Sequence, residues 1–522
     1  MTVRQEPHMH AAHPPFRSYA EQILDHLNDA PEREVLLHGE RRVSAGEFRA
    51  LVHRLARALK ERGLGRGTTV SLLGGNLPEV IAVRYAAHLL GCRVNHLYNK
   101  LSAEAQVAIV RDVETRALIV DPRYADRAAE VTAQAPVASV LTLGPAPAGE
   151  DLLAAAAGLS DEPVPGEARP DDVCTIRHTG GTTGHPKGIC TTFDQVSDIR
   201  ALQGEHVRRQ LVCTTVAHVG GMFTDLTLGA GGSVVLQEDF DPAAVLAAVE
   251  RERVTDLFLL PPLLYRLMDH PDAATTDTSS LRSLVYGGCQ ASPARLADAV
   301  RRFGPVLLQF YGQSEVGGIS MLMPDQHDPE RRPELLRTAG QVLPHVEVEI
   351  RDESGRALPR GEHGEICVRS PHIMQGYWKQ PELTAEVLRD GWLHTGDVGL
   401  LNDEGFLTVV DRLKDMIIVV GGHVYTSELE DLLNSHPRVL QSAVFGVRDA
   451  DRMEQVHAVV VAGPDGGVGE AELRELVRRE RGAMYEPASI TLADALPLTE
   501  AGKPDKAELR RAAAKRYALA SA

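Results

Sequence analysis

Residues 171–190 read DDVCTIRHTGGTTGHPKGIC, and the fold is decided by how this stretch is read. A short apolar β-type run, Val173 to Ile176, feeds a loop of Thr179, Gly180, Gly181, Thr182, Thr183 and Gly184. His185, Pro186, Lys187 and Gly188 follow. Glycines let backbone N–H groups approach an oxyanion with no side chain in the way. Threonine hydroxyls add donors, and Lys187 adds a compact positive charge. The loop is therefore suited to a polyphosphate. It is not the common P-loop, G-x-x-x-x-G-K-[ST], whose lysine opens a helix. Here Pro186 precedes Lys187 and pushes residue 185 out of helical geometry. An arbitrary Gly-rich loop would be a solvated turn, but adjacent threonines and a Pro-Lys-Gly end make this one more specific.

Upstream, the pattern alternates between helix and strand. Ser44 and Glu47 form a capping-box pattern, Phe48, Leu51, Val52, Leu55, Ala56 and Leu59 recur at helical spacing, and Gly63 can end the helix. A β-type run at Thr69–Leu73, a helix after Pro78, and apolar runs at Cys92–Leu97 and Ala117–Val120 follow. This is the rhythm of a covered, largely parallel sheet. Residues 143–172, rich in Pro, Gly, Ala and acids, read as a surface connection into the loop.

The totals bound the function. A chain of 522 residues is long enough for more than one domain. A formal net charge of −17 argues against non-specific binding to nucleic acid or anionic membrane. The 6 cysteines are scattered without a C-x-x-C pair, so neither a zinc site nor a disulfide framework is expected and a reduced compartment fits. No run approaches the roughly 20 apolar residues of a spanning helix, and the N-terminus lacks a signal-peptide core. The expectation is a soluble, cytoplasmic protein. The sequence carries no signal for an oligomeric state.

Downstream, several short stretches carry candidate chemistry. His218 lies among small residues in VAHVGGM. Gly287, Gly288 and Cys289 follow an apolar strand in RSLVYGGCQ, where a flat ligand could lie against backbone or the chain could simply turn. QFYGQSEVGG at 309–318 sets an aromatic beside glycine, for stacking on a base, and a carboxylate that can hold a cation. In GWLHTGDVG, Asp397 can accept two hydrogen bonds from a ribose diol, and Arg412 in DRLK offers a fork to sugar or phosphate. Beyond it, Ser427 and Glu430 form a second capping-box pattern. Strand-like runs at Ala443–Val447 and Val456–Val461 precede a helix at Glu470–Arg481, which together read as a compact α+β unit. Lys503 sits in the polar loop LPLTEAGKPDK.

TGGTTGHPKG resembles the phosphate-binding motif of the adenylate-forming superfamily, which includes acyl-CoA synthetases, luciferases and peptide-synthetase adenylation domains. The later stretches resemble that family's motifs in the family's order, over nearly the whole chain. The resemblance implies an α/β fold. A large N-terminal domain of covered sheets with helices, residues 1–412, precedes a small mobile α+β C-terminal domain, residues 413–522, hinged near Lys414. It implies that Thr179, Gly180, Gly181, Thr182, Thr183, Gly184 and Lys187 hold ATP phosphates. Gly288, Cys289, Gln309, Phe310, Tyr311 and Gly312 would line the adenine pocket, with Tyr311 stacking on the base. Ser314 would touch phosphate, Glu315 would bind Mg2+, and Asp397, Arg412 and Lys414 would hold the nucleotide. His218 would line the substrate pocket near the carboxylate, and Lys503 would be the main catalytic cation.

The implied activity is ATP-dependent conversion of a carboxylic acid to enzyme-bound acyl-AMP with pyrophosphate release, then transfer of the acyl group to CoA. Gly180 replaces a serine, Ile418 stands where many acyl-CoA ligases carry a lysine, and Glu486 stands where lysine is frequent. These departures keep other acceptors open: an amine, a carrier protein, or nitrite activation for diazotisation of an aryl amine. A nucleotide-binding relative without turnover is a further alternative.

Overall fold

The computed structural model describes residues 16–179, 187–197, 207–419, 422–448, 454–463, 467–499 and 504–520. Two large sheets form its body. One is built on the parallel strands Thr69–Leu73, Arg93–His96, Ala117–Val120, Ser139–Thr142 and Val173–Thr179. The other has Glu34–His38, Arg209–Val212, Ser233–Leu236, Asp256–Leu259, Ser283–Gly287 and Leu307–Gln313 in parallel. Several of these strands are buried at every residue, which is why they read as continuous apolar runs with no alternation. The helix at Ala45–Glu61 starts on the expected reciprocal cap, Glu47 N–H to Ser44 Oγ at 3.2 Å and Ser44 N–H to Glu47 Oε2 at 2.8 Å. Its apolar stripe, Phe48, Val52, Leu55, Ala56 and Leu59, is fully buried.

The largely parallel reading holds for the N-terminal strands it concerned, since Thr69–Leu73 pairs in parallel with Arg93–His96 and with Ala117–Val120. A third sheet, of Glu347–Arg351, Gly364–Arg369, Leu388–Arg389, Trp392–Leu401 and Leu407–Arg412, is antiparallel throughout. Its last strands, Leu388–Arg389, Trp392–Leu401 and Leu407–Arg412, follow one another through short turns, which antiparallel pairing allows. The 143–172 connection also holds a short helix, Leu152–Ala156, which anchors it through buried Leu152 and Ala156.

The C-terminal unit is smaller. Strands Val439–Arg448, Glu454–Ala462 and Ser489–Ala493 form its sheet, and helices Thr426–Asn434, Glu470–Arg481 and Lys506–Ala520 accompany it. It has its own core, including Leu429, Leu433, Val444, Val460 and Leu473. The expected capping box at Ser427 and Glu430 does not form. The helix has no side-chain cap from Tyr425, and its first N–H, from Thr426, goes to Asp411 on the strand Leu407–Arg412. Ser427 Oγ donates to the Val410 carbonyl, while Glu430 pairs with Lys506 at 2.9 Å and accepts the Val444 N–H at 2.7 Å. Partners from elsewhere in the chain have displaced the local cap.

The same helix touches the larger body. Asp431 accepts from Gln290 Nε2 at 3.3 Å and faces Arg337 at 3.4 Å. Burial pushes its carboxyl from 3.8 up to about 7 against the pull of Arg337. The folded chain thus keeps a proton there that the unfolded chain loses near 3.8, so stability falls as pH rises from about 4 to 7. Asp431→Asn is expected to raise the melting temperature at pH 8 and to leave it nearly unchanged at pH 4. The gain has an upper bound of about 4 kcal/mol. Thermal denaturation at the two pH values checks it.

Candidate active site

Among the described residues, Lys187, Gly288, Ser314 and Arg412 lie at or next to the ends of strands of three sheets. Leu307–Gln313 runs parallel to Ser283–Gly287, then reverses through a turn, closed by Val316 N–H to Gln313 O at 3.2 Å, into antiparallel Gly317–Leu322. Ser314 and Glu315 occupy that turn, outside the carboxyl end of a parallel strand. Open α/β sheets bind ligands at that edge. Gly312 is required by close approach: a Cβ there would stand 2.1 Å from the Gly317 carbonyl. Gly288 ends the neighbouring strand with φ +84°, a conformation glycine adopts without strain. Cys289 follows it, half-buried. Gln309 accepts from Tyr286 OH at 3.3 Å.

Asp397 is 3% exposed on the strand Trp392–Leu401, where the antiparallel register sets it opposite Arg412. Its Oδ1 lies 3.0 Å from Arg412 Nε. Its Oδ2 accepts from Tyr311 OH and Gln313 Nε2, each at 2.7 Å. Burial, then the Asp397 charge, pushes the Tyr311 phenol well above its usual range, so it stays a donor. The Arg412 side chain is half-exposed, which leaves its remaining N–H groups open to a ligand.

Glu315 Oε1 accepts from Tyr377 OH at 3.0 Å. Lys187 Nζ stands 5.4 Å from the centre of the Tyr377 ring, within cation–π reach. Lys187 opens a strand, Lys187–Thr192, antiparallel to Val173–Thr179. The Lys414 ammonium is held below its usual range by partial burial. Arg412, Arg510 and Lys187 reinforce that effect and Asp415 opposes it. Lys187, Lys414 and Arg412 therefore share one electropositive region beside the Glu315 and Asp397 carboxylates.

His218 starts the helix Val219–Gly229 and packs edge-on against Tyr98, ring centres 5.7 Å apart. Phe223 of this helix forms a buried apolar cluster with Phe258 and Val285, against which Phe310 packs. Gly180, Gly181, Thr182, Thr183, Gly184 and Lys503 lie outside the described residues, as does the Thr179 side chain. The Thr179 backbone pairs with that of Lys187.

The AMP-binding enzyme family matches residues 24–378, and the AMP-binding enzyme C-terminal domain matches residues 428–503. The chain belongs to the AMP-binding enzyme family. Among its relatives is the medium/long-chain-fatty-acid–CoA ligase FadD8 of Mycobacterium tuberculosis. It is 36% identical over 94% of this chain and 89% of its own length. A feruloyl-CoA synthase of Amycolatopsis is also 36% identical, over 92% of this chain and 96% of its own. The solved structure of the amide bond synthetase McbA from Marinactinospora thermotolerans is 40% identical. It superposes with a TM-score of 0.88 over 94% of this chain and 99% of its own.

Three side chains of this AMP-binding enzyme went unread in the sequence. Gln313 holds Asp397, Tyr377 holds Glu315 across 62 residues of chain, and Arg177 lies half-buried on the strand that leads into the phosphate-type loop. Arg177 alone left a signal, a cation inside an otherwise apolar strand.

Proposed function

We propose that the protein is an ATP-dependent ligase that joins a carboxylic acid to AMP, releases pyrophosphate, and passes the acyl group to CoA. The observation that carries this reading is the convergence of Asp397–Arg412, Tyr311, Glu315 and Lys187 on one region, in a chain with both family matches. Asp397 takes the ribose diol, with Tyr311 beside adenine. Thr179, Gly180, Gly181, Thr182, Thr183, Gly184, Ser314 and Lys187 take the phosphates. A carboxylate oxygen of the acid forms a bond to the α-phosphorus, and the α–β bridging bond breaks with its electron pair leaving on pyrophosphate. In the second step the CoA thiol adds to the acyl carbonyl and AMP leaves.

Glu315 fits Mg2+: Tyr377 takes only its Oε1, and one carboxylate plus substrate phosphates is a usual Mg2+ donor set. Bound there, the ion would neutralise phosphate charge. Glu315→Gln is expected to lower kcat/KM for adenylation about 10- to 100-fold and to raise the Mg2+ concentration needed for half-maximal rate. A Mg2+ titration of pyrophosphate release checks both.

The domain boundary falls at 412/413, and rotation of the small domain about Lys414 withdraws Lys503 between the two steps. The apolar cluster around Phe223 and Phe258 supports an acid with an apolar chain or ring, as the names of the fatty-acyl and feruloyl relatives suggest. Free cysteines, with burial holding Cys174 and Cys213 up to about 12, support a reducing, cytoplasmic setting. In the described residues no helix is long and apolar enough to cross a membrane.

A second reading replaces CoA by an amine. Two observations favour it: the likeness to an amide bond synthetase, and Ile418, 57% exposed where many CoA ligases carry lysine. Pyrophosphate release across a panel of acids, with CoA or amines as acceptor, separates the readings. A thioester supports the first and an amide the second.

A further inference from the structure

Arg177 belongs to the strand Val173–Thr179, the element that leads into the phosphate-type loop. Cys174, Ile176 and His178 on this strand are buried, and Ile176 packs under the helices of its own sheet. Side chains alternate along a strand, so Arg177 points the opposite way, toward the space between the two large sheets. It lies within electrostatic reach of Glu315 at the site and of Asp225 and Arg84 deeper in. The parallel pairing of Val94 with Thr175 sets His96 alongside it.

The neighbouring carboxylates do not pair with it. Asp225 takes a forked pair from Arg84 and a hydrogen bond from Tyr85 OH at 2.6 Å. The Glu315 carboxylate, with Oε1 bonded to the neutral Tyr377 phenol, acts on Arg177 at a distance without pairing with it. Burial, with Arg84, His88, His218 and Arg177 nearby, drives His96 well below its ordinary range, so it is neutral and supplies no counter-charge. Arg177 itself makes no ion pair with any described carboxylate, and its buried Nε has no hydrogen-bond partner. A buried N–H left without a partner costs about 1–3 kcal/mol. In folded proteins such groups are completed by an ordered water, an ion or a ligand, and a strand leading into a binding loop favours the ligand.

We propose that Arg177 receives the carboxylate of the acid before its activation. The inference rests on the acyl-AMP reading. A planar guanidinium fork matches a carboxylate and holds it by two parallel hydrogen bonds. The pair neutralises the incoming anion beside the phosphates and orients one oxygen toward the α-phosphorus. That oxygen forms the new P–O bond while pyrophosphate leaves, and no proton changes hands. Arg177 then faces the adenylate's remaining phosphate charge. The subsite selects carboxylates against isosteric neutral groups.

The test compares acid and carboxamide pairs: octanoate with octanamide, and cinnamate with cinnamamide. Each is measured as substrate or competitive inhibitor of pyrophosphate release. In the wild type the carboxylate binds at least about tenfold more tightly than its amide, as expected for losing a charged hydrogen-bonded pair. Arg177→Met removes most of that ratio, while the KM for ATP moves less than about threefold. Arg177→Lys retains part of it. Arg177→Gln, close in length and uncharged, loses it and keeps the test alive if the methionine variant misfolds. Discrimination undiminished in the methionine or glutamine variant overturns the inference alone. A wild type that releases no pyrophosphate with any acid overturns the acyl-AMP reading and the inference together.

Discussion

Asp397→Ala is expected to lower kcat/KM for ATP by about 10^2- to 10^4-fold, since two charge-assisted hydrogen bonds to the ribose diol carry roughly 1.5–3 kcal/mol each. The effect has a second source. Asp397 also fixes Tyr311, Gln313 and Arg412, so its loss leaves a phenol, an amide and a guanidinium without their common acceptor. The melting temperature is expected to fall as well, because buried polar groups left unsatisfied are costly. Tyr311→Phe separates the two sources. It removes one donor to Asp397 and leaves the carboxylate free for ribose, so the ATP term should shrink to about tenfold or less. Calorimetric titration of ATP into each folded variant, beside the steady-state constants, distinguishes lost binding from lost architecture.

Lys503→Ala is expected to lower the adenylation step by about 10^3-fold. The attacking carboxylate and the α-phosphate are both anions, and at about 4 Å they repel by roughly 4 kcal/mol at an effective dielectric of 20. A cation placed between them offsets that repulsion where the new bond forms, so its removal acts on kcat more than on the KM of either substrate. The transfer step should respond differently. If the small domain turns away after adenylation, chemically prepared acyl-AMP should react with CoA within about fivefold of the wild-type rate in Lys503→Ala. Rapid-quench measurement of each half-reaction checks the split, and equal loss in both would count against the rotation.

Where local pattern decides structure, the sequence could be read almost to the residue. The reciprocal Ser44–Glu47 cap, the stripe on Ala45–Glu61 and the runs Thr69–Leu73 and Ala117–Val120 depend on near neighbours only. The Ser427–Glu430 pattern obeys the same local rule and fails, because Asp411, Val410 and Lys506 compete for the same groups from a distance. The antiparallel sheet was missed for a related reason, since the register that sets Asp397 opposite Arg412 is a pairing between strands. At the site, Asp397, Arg412, Tyr311 and Glu315 could be named from motifs. The residues that hold them in place, Gln313 and Tyr377, could not, because each contact spans 62 residues or more of chain. Arg177 shows the limit from the other side. Its position in an apolar strand was visible, but that its guanidinium has no counter-ion among the described residues required the positions of Asp225, Glu315 and His96.

The most direct test of the central claim is a single-turnover reaction with ATP labelled at the α-phosphate, quenched before any acceptor is added. Acid-dependent formation of one acyl-AMP per pyrophosphate released is the predicted result. Formation of ADP and phosphate, or AMP and pyrophosphate in amounts indifferent to the acid, would contradict it.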